Sequence, residues 1–265
     1  MNLQVVVNFR VIDESDDWIV VDKPAPLIVH PANRKPEPTL LGGLEQLLAY
    51  ELQNGGSLGI VTRLDRETSG IVLVSKHTAA ARELGWIFER RQAKKEYLAI
   101  VRSWPEMDNW ECAVPIIRAG ELMQSDIWVR QMVHPAGREC LTKFRVERRF
   151  SINNANFSQI RCFPETGRMH QIRVHLAASG FPILGDKLYS GDGSEYLEWM
   201  ETGWTPELRR RLILPRHALH AGALKIPWEG KEMRWEAEMA RDMREFSSGE
   251  QISLTPDVVI WNRHD

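Results

Sequence analysis

The sequence predicts an α+β fold, a mixed and mostly antiparallel β-sheet with flanking helices. Three observations predict it. Strand-like runs outnumber helical ones, the helical stretches fall between them without a regular βαβ beat, and no internal repeat or low-complexity segment divides the chain. With 265 residues, 43% hydrophobic and 26% charged, the chain can bury a core that needs neither metal nor disulfide. A single domain over residues 1–265 is expected.

The elements follow in order. VVVNFRVI (5–12) is β-rich, ESDD (14–17) is a polar turn, and WIVVDKP (18–24) is an apolar strand ended by proline. PANRKPEPT (31–39) reads as a loop. Thr39 then caps a helix whose leucines at 40, 41, 44, 47 and 48 make one buried face. GIVTRLD (59–65) and GIVLVSK (70–76) read as two short buried strands joined by RETS. Residues 78–91 suit a helix with Ala81, Leu84, Ile87 and Phe88 inward and Arg82, Glu89 and Arg90 outward.

KEYLAIVR (95–102) is a further strand, and 103–140 is irregular with short strand-like pieces such as IWVRQMV (127–133). LTKFRVERRF (141–150) and FSQIRCF (157–163) resemble a hairpin with Asn153 and Asn154 in its connection. GRMHQIRVHLAAS (167–179) is helical in pattern, and Gly180 stands where a helix-terminating glycine belongs. Residues 190–204 read as an insertion loop, TPELRRRLI (205–213) as a short helix with Pro206 just inside its start, and ALHAGALKI (218–226) and MRWEAEM (233–239) as late strands.

Composition excludes several classes. Cys112, Cys140 and Cys162 are scattered, odd in number and form no C-x-x-C pair, so neither a disulfide framework nor a zinc ribbon is indicated and a cytoplasmic protein is expected. The opening residues lack the basic and apolar regions of a secretory signal, and no apolar run approaches the ~20 residues of a membrane span. The net charge of −2 does not suggest a nucleic-acid partner, so any RNA must meet a local basic surface. His170 and His175, and His217 and His220, lack the spacing of a helical zinc site, so no metal is expected. Phosphate-cradling glycine loops are missing, so no nucleotide cofactor is expected either.

The stretch most suggestive of chemistry is Arg63-Leu64-Asp65-Arg66-Glu67-Thr68-Ser69-Gly70. Here a carboxylate flanked by two arginines lies in a turn between apolar runs. Opposite charge within about 4–6 Å keeps a carboxyl ionised, and an ionised carboxylate at a strand end can act as nucleophile or base. From charge pattern alone, a salt-bridged surface turn is the commoner reading.

R-L-D-x-x-T-S-G followed by an apolar strand ending at Lys76 resembles the signature of the RluA family of pseudouridine synthases. WIVVDKPAPLIVHP (18–31), KKEYLAIV (94–101), PETGRMHQIRVHLAASGFPILGDKLY (164–189) and RHALHAGALKI (216–226) resemble the family's other motifs, in family order across nearly the whole chain. Thr62 stands where the family usually has histidine, Ala25-Pro26 replaces alanine-glycine, and Met169 replaces a small hydroxyl residue.

The resemblance implies the pseudouridine synthase fold with a central catalytic cleft, no cofactor, and a monomer acting on ribosomal or transfer RNA. Some relatives carry a small N-terminal RNA-binding domain, and none is expected here. Asp65 matches the catalytic aspartate. Tyr97 matches the tyrosine that stacks on the target base and can take part in proton transfer at carbon 5. Arg173 matches the basic residue that pairs with the aspartate, and Arg63 matches the arginine that fills the gap left by a flipped nucleotide. Arg66 flanks Asp65 and is placed with Arg63 among the RNA contacts.

A cluster of Arg82, Arg90, Arg91, Lys94 and Lys95, and a second of Arg209, Arg210, Arg211 and Arg216, are plausible phosphate contacts, although charge runs are more often solvated faces. Two rivals stand beside this reading. A non-catalytic RNA-binding or ribosome-assembly protein would not need the Asp65, Tyr97 and Arg173 set. A nucleotide or glycoside hydrolase would need a second acid that the motifs do not show.

Overall fold

The computed structural model describes residues 7–31 and 37–250. In chain order the elements are β1 (Arg10–Glu14), β2 (Trp18–Lys23), α1 (Leu40–Leu47), α2 (Ala49–Gln53), β3 (Gly59–Ile60), β4 (Ser69–Ser75), α3 (Thr78–Glu89), β5 (Lys94–Arg102), β6 (Asn109–Cys112), β7 (Ile116–Arg118), β8 (Gln131–Val133), β9 (Thr142–Ile152), β10 (Ala155–Pro164), α4 (Gln171–Ala178), α5 (Ser194–Thr202), α6 (Pro206–Leu212), β11 (Leu219–Trp228), β12 (Lys231–Glu236) and α7 (Arg241–Ser248). The fold class is the expected one, a mixed and mostly antiparallel sheet with flanking helices. By contacts the chain forms two compact units. The first comprises the chain up to Lys94 together with Ala221–Phe246, and the second Lys95–His220 with Ser247–Glu250.

In the first unit the strands run β1-β2-β4-β11, with β3 on β4 and β12 on β11. β2 and β4 pair antiparallel from Trp18↔Ser75 to Lys23↔Gly70. Both strands are covered on both faces, which is why each reads as a continuous apolar run rather than an alternation. Trp18, Val20, Ile71 and Leu73 pack with Ala80, Leu84 and Ile87 of α3 and with Trp228 and Trp235. Ile19, Val21, Val72 and Val74 pack with Leu40, Leu44 and Leu48 around α1. Asp13 accepts hydrogen bonds from the indoles of Trp18 (3.2 Å) and Trp235 (2.7 Å), so these two buried rings keep their N–H groups satisfied. Thr39 caps α1 as expected, its hydroxyl accepting from the Gly42 amide at 2.9 Å.

In the second unit the strands run β5-β10-β9-β6, with β7 and β8 forming a separate ribbon. The β9–β10 hairpin turns at Asn153 and Asn154, whose φ values of 49° and 61° are the left-handed conformation that a tight two-residue turn needs. α4 ends as expected, with Gly180 at φ 86°.

Two expectations are corrected. The run 59–65 is a strand only at Gly59–Ile60 and continues as a loop. The 190–204 segment is not a loop throughout, because Ser194–Thr202 forms α5. Gly191, Asp192 and Gly193 stand at its start, where the Asp192 carboxylate accepts from the Ser194 amide at 2.9 Å, and Gly203 closes the helix at its end. Between them Tyr196, Leu197, Trp199 and Met200 follow a helical spacing. Part of the loop expected at 31–39 lies outside the described residues.

Candidate active site

In the first unit Asp65 sits half-buried in the turn before β4. Three features hold that turn. The Thr68 amide donates to the Asp65 carbonyl at 3.1 Å. The Thr62 hydroxyl accepts the Leu73 amide at 2.9 Å, so the residue that departs from the family pattern anchors the loop to β4. Gly70 has φ 109°, and a Cβ there would lie 2.3 Å from the Ala221 carbonyl oxygen. Only glycine meets both conditions.

Lys23 is fully buried. Its ammonium donates to the carbonyls of Pro24 (3.0 Å), Leu27 (2.7 Å) and Arg66 (3.2 Å), while the Leu27 amide also donates to the Arg66 carbonyl at 2.9 Å. The lysine of the opening motif therefore ties the 23–27 turn to the Asp65 loop, a role not assigned from the sequence. Arg63 and Arg66 are exposed. Arg63 Nη1 lies 3.3 Å from His30 Nε2, and Arg66 pairs with Glu37 at 2.7 Å.

In the second unit Tyr97 lies on β5 opposite Cys162 and is half-buried. The Lys95 ammonium donates to the Thr166 carbonyl at 3.0 Å, and burial pushes its pKa down to about 8. The following loop is organised by Gln171. Its side-chain oxygen accepts from the Thr166 hydroxyl (2.7 Å) and the Arg168 amide (3.0 Å). Its amide donates to the Leu141 carbonyl (3.0 Å) and the Thr142 hydroxyl (2.9 Å).

His175 sits beneath, with Nδ1 2.9 Å from the Thr142 hydroxyl and Nε2 3.0 Å from the Val114 carbonyl. Burial pushes its pKa down, against the opposing pull of the Val114 carbonyl, so it is a neutral structural histidine. Because the Val114 carbonyl can only accept, the neutral ring carries its proton on Nε2 and donates it there, and the Thr142 hydroxyl, which accepts from Gln171, donates to Nδ1.

Arg173 is not a solvated charge on an amphipathic helix. It is buried, as are Gln171, Ile172, Val174, His175 and Leu176 around it on α4. Its Nε donates to Asp186 Oδ2 at 2.7 Å and its Nη2 to Oδ1 at 2.9 Å. The guanidinium carbon lies 5.0 Å from the Tyr189 ring centroid. Asp186 Oδ1 also accepts the amides of Leu188 (2.9 Å) and Tyr189 (3.2 Å). Burial alone would raise this carboxyl, but the Arg173 charge and its hydrogen bonds, with His217 and the Leu188 amide, reverse that and hold it at about 2.

Asp186 and Tyr189 are therefore neighbours of Arg173 that sequence reasoning did not single out. Both stand inside the third family-like motif, but nothing in local spacing indicates that they reach back to Arg173.

The basic groups differ from one another. Arg82, Arg90, Arg91 and Lys94 are exposed around the end of α3. The second group is corrected: Arg216 is buried, with Nη1 donating to the His217 carbonyl at 3.2 Å, and Arg211 is ringed by Glu195, Glu198 and Glu207. Arg209 and Arg210 alone of that run are exposed. Among the described residues no three His, Cys, Asp or Glu side chains are grouped to hold a metal ion, and no helix is long and apolar enough to cross a membrane.

The fold has solved counterparts. Over 89% of this chain and 90% of its own, Human RNA Pseudouridylate Synthase Domain Containing 4 superposes with a TM-score of 0.68 at 23% identity. Human RNA Pseudouridylate Synthase Domain Containing 1 does so over 94% and 97%, with a TM-score of 0.66 at 22% identity. The family model of the RNA pseudouridylate synthases matches residues 17–178. The chain belongs to that family of RNA-acting isomerases. It is 34% identical over 244 residues to the ribosomal large subunit pseudouridine synthase D of Nitrosomonas europaea, covering 89% of this chain and 64% of that relative. It is 32% identical over 246 residues to the protein of the same name from Escherichia coli (strain K12), covering 89% and 68%. The chain thus spans about two thirds of the length of these relatives.

Proposed function

We propose that this chain isomerises uridine to pseudouridine in RNA, with Asp65 as the catalytic carboxylate, and that its substrate is ribosomal or transfer RNA. The observation that carries the reading is the Asp65 turn, held by Gly70, Thr62, Thr68 and the buried Lys23 clamp within a chain of this family. A surface turn serving only salt bridges needs no such support. The names of the relatives favour ribosomal RNA over transfer RNA.

In the reaction the bond from ribose carbon 1′ to uracil nitrogen 1 breaks, the base rotates, and carbon 1′ joins carbon 5. Nitrogen 1 gains a proton and carbon 5 loses one, so no redox or phosphoryl cofactor enters the balance. A base in a duplex must first be flipped out, at a cost of roughly a few kcal/mol. Exposed Arg63 suits the gap that the base leaves. Asp65 acts at the nucleotide as nucleophile or base, Tyr97 stacks on the ring and exchanges the carbon-5 proton, and Arg173 supplies the positive charge of the chemistry. Arg66, Arg90, Arg91, Lys94 and Lys95 contact phosphates. Lys95 does so after exchanging its bond to the Thr166 carbonyl. We further propose that the protein works in the cytoplasm as a monomer and that its two units serve as one catalytic domain.

The test is Asp65→Asn. Incubated with ribosomal or transfer RNA, the wild type forms pseudouridine and releases no free uracil, whereas the variant folds normally and forms none. Released uracil from the wild type would point to hydrolysis, and near wild-type turnover by the variant would remove Asp65 from the chemistry.

A further inference from the structure

We propose that Asp186 is a positioning residue for Arg173, fixing one edge of the guanidinium so that the rest of it is presented in a single orientation. The inference rests on the reading of Arg173 as part of the isomerisation machinery, and it adds a residue to which the family-based reading gives no role.

The geometry is that of a built support. Asp186 is fully buried. Its two oxygens meet Nε and Nη2 of Arg173 in parallel, at 2.7 and 2.9 Å, which is the fork-to-fork arrangement that fixes both the position and the plane of a guanidinium. The carboxylate is itself held, because Oδ1 accepts the amides of Leu188 and Tyr189. The Tyr189 ring adds a cation–π contact, with its centroid 5.0 Å from the guanidinium carbon. That ring is anchored at its far end, where the Tyr189 hydroxyl lies 2.7 Å from His170 Nδ1 and accepts the Gln131 amide at 2.9 Å.

α4 and the 184–189 segment therefore meet through Arg173, Asp186 and Tyr189. A guanidinium has five N–H donors in a rigid fork. A carboxylate gripping the Nε edge leaves the opposite edge outside its own grip and cannot itself reach RNA, being wholly buried. Asp186 thus acts through Arg173, by orienting charge rather than by touching substrate.

A packing role and a positioning role differ in what they predict. If Asp186 merely neutralises a buried charge, any folded variant keeps its rate. If it positions Arg173, loss of the fork lowers kcat while leaving KM for RNA unchanged. A misplacement of about 1 Å in such a group costs on the order of 100-fold in rate.

The experiment uses the full chain with Asp186→Asn, Asp186→Glu and Tyr189→Phe. The first readout is independent of RNA. The Arg173 Nε–H NMR signal, assigned by its loss in Arg173→Lys, is sharp and protected from exchange in the wild type and becomes exchange-broadened in Asp186→Asn. An unchanged signal in that variant overturns the proposal whatever the RNA assays give.

The second readout is pseudouridine formation. We expect kcat to fall on the order of 100-fold in Asp186→Asn with KM within about twofold of wild type. Tyr189→Phe leaves the carboxylate fork intact but loses the bonds to Gln131 and His170 that anchor the ring, so it melts earlier and its kcat falls by less than that of Asp186→Asn; a fall as large as in Asp186→Asn overturns the assignment of positioning to the carboxylate. Should Asp186→Asn fail to fold, Asp186→Glu keeps the charge with the fork displaced by one methylene, and a drop in its kcat supports positioning while a wild-type kcat overturns it. If the wild type forms no pseudouridine on any RNA, the functional reading fails, and the NMR arm still decides the positioning of Arg173.

Discussion

Replacing Gly70 by alanine tests the reasoning about the Asp65 turn most directly. Two separate costs arise there. The backbone at φ 109° is a conformation that an L side chain adopts only under strain, worth about 1–3 kcal/mol. The new methyl would also stand 2.3 Å from the Ala221 carbonyl oxygen and 2.7 Å from its nitrogen, far inside van der Waals contact. Both are backbone atoms, so no side-chain rotation relieves the overlap and β11 must move away from β4. Overpacking of this kind costs roughly 1–3 kcal/mol, and a weakened ladder hydrogen bond about 1 more. The total is about 3–7 kcal/mol, a large part of the roughly 5–15 kcal/mol that holds a typical domain.

Gly180→Ala separates the two costs. Gly180 has φ 86°, but a Cβ there meets nothing within 4 Å, so strain alone applies. Thermal melting followed by circular dichroism, with pseudouridine formation on RNA, reads the outcome. Gly180→Ala should lower the melting temperature by a few degrees and keep activity. Gly70→Ala should lower it by on the order of 10 °C and lose about 100-fold in rate, since the Asp65 turn is displaced with it. Equal destabilisation by the two variants would show that the close approach to Ala221 contributes nothing. A fully active Gly70→Ala would show that the turn does not depend on it.

Three further outcomes are expected. Tyr97→Phe keeps base stacking, worth roughly 1–3 kcal/mol per base, so RNA affinity holds while turnover falls for want of the hydroxyl; equal affinity losses in Tyr97→Phe and Tyr97→Leu, with full turnover in the former, would exclude both roles. Asp186 is depressed to about 2 from 3.8, so its stabilisation is fully present above pH 3.8 and is lost as pH falls through 2. The stability gap between wild type and Asp186→Asn should therefore narrow by about 2 kcal/mol on acidification, whereas a gap unchanged between pH 6 and pH 2.5 would contradict the ion pair. RNA affinity should fall steeply with salt, and Arg90→Ala with Arg91→Ala should flatten that slope by up to about two phosphate contacts; a slope unaffected by the pair would place the RNA on another face.

Periodicity and turn chemistry are local, and they made most elements legible in the sequence. The capped α1, the Asn153–Asn154 hairpin and the end of α4 at Gly180 all follow from residues within a few positions of one another. The 190–204 segment misled because its opening glycines outweighed the helical spacing of Tyr196, Leu197, Trp199 and Met200. The candidate site was legible as motifs, which mark Asp65, Tyr97 and Arg173 without saying what supports them.

The sequence by itself determined the fold class and the family and nominated Asp65, Tyr97 and Arg173 as candidates, because those readings depend on residue type and local order. Tertiary structure alone decided that Gly70 faces the Ala221 backbone, that Lys23 clamps the carbonyls of the Asp65 loop, that Arg173 is buried on Asp186 and Tyr189, and that Arg216 is no part of a surface patch. Each of these joins residues distant in the chain or sets the burial of a charge. A charged side chain reads the same in a sequence whether water or a carboxylate surrounds it. The physical difference lies in desolvation, which exists only once the chain has packed.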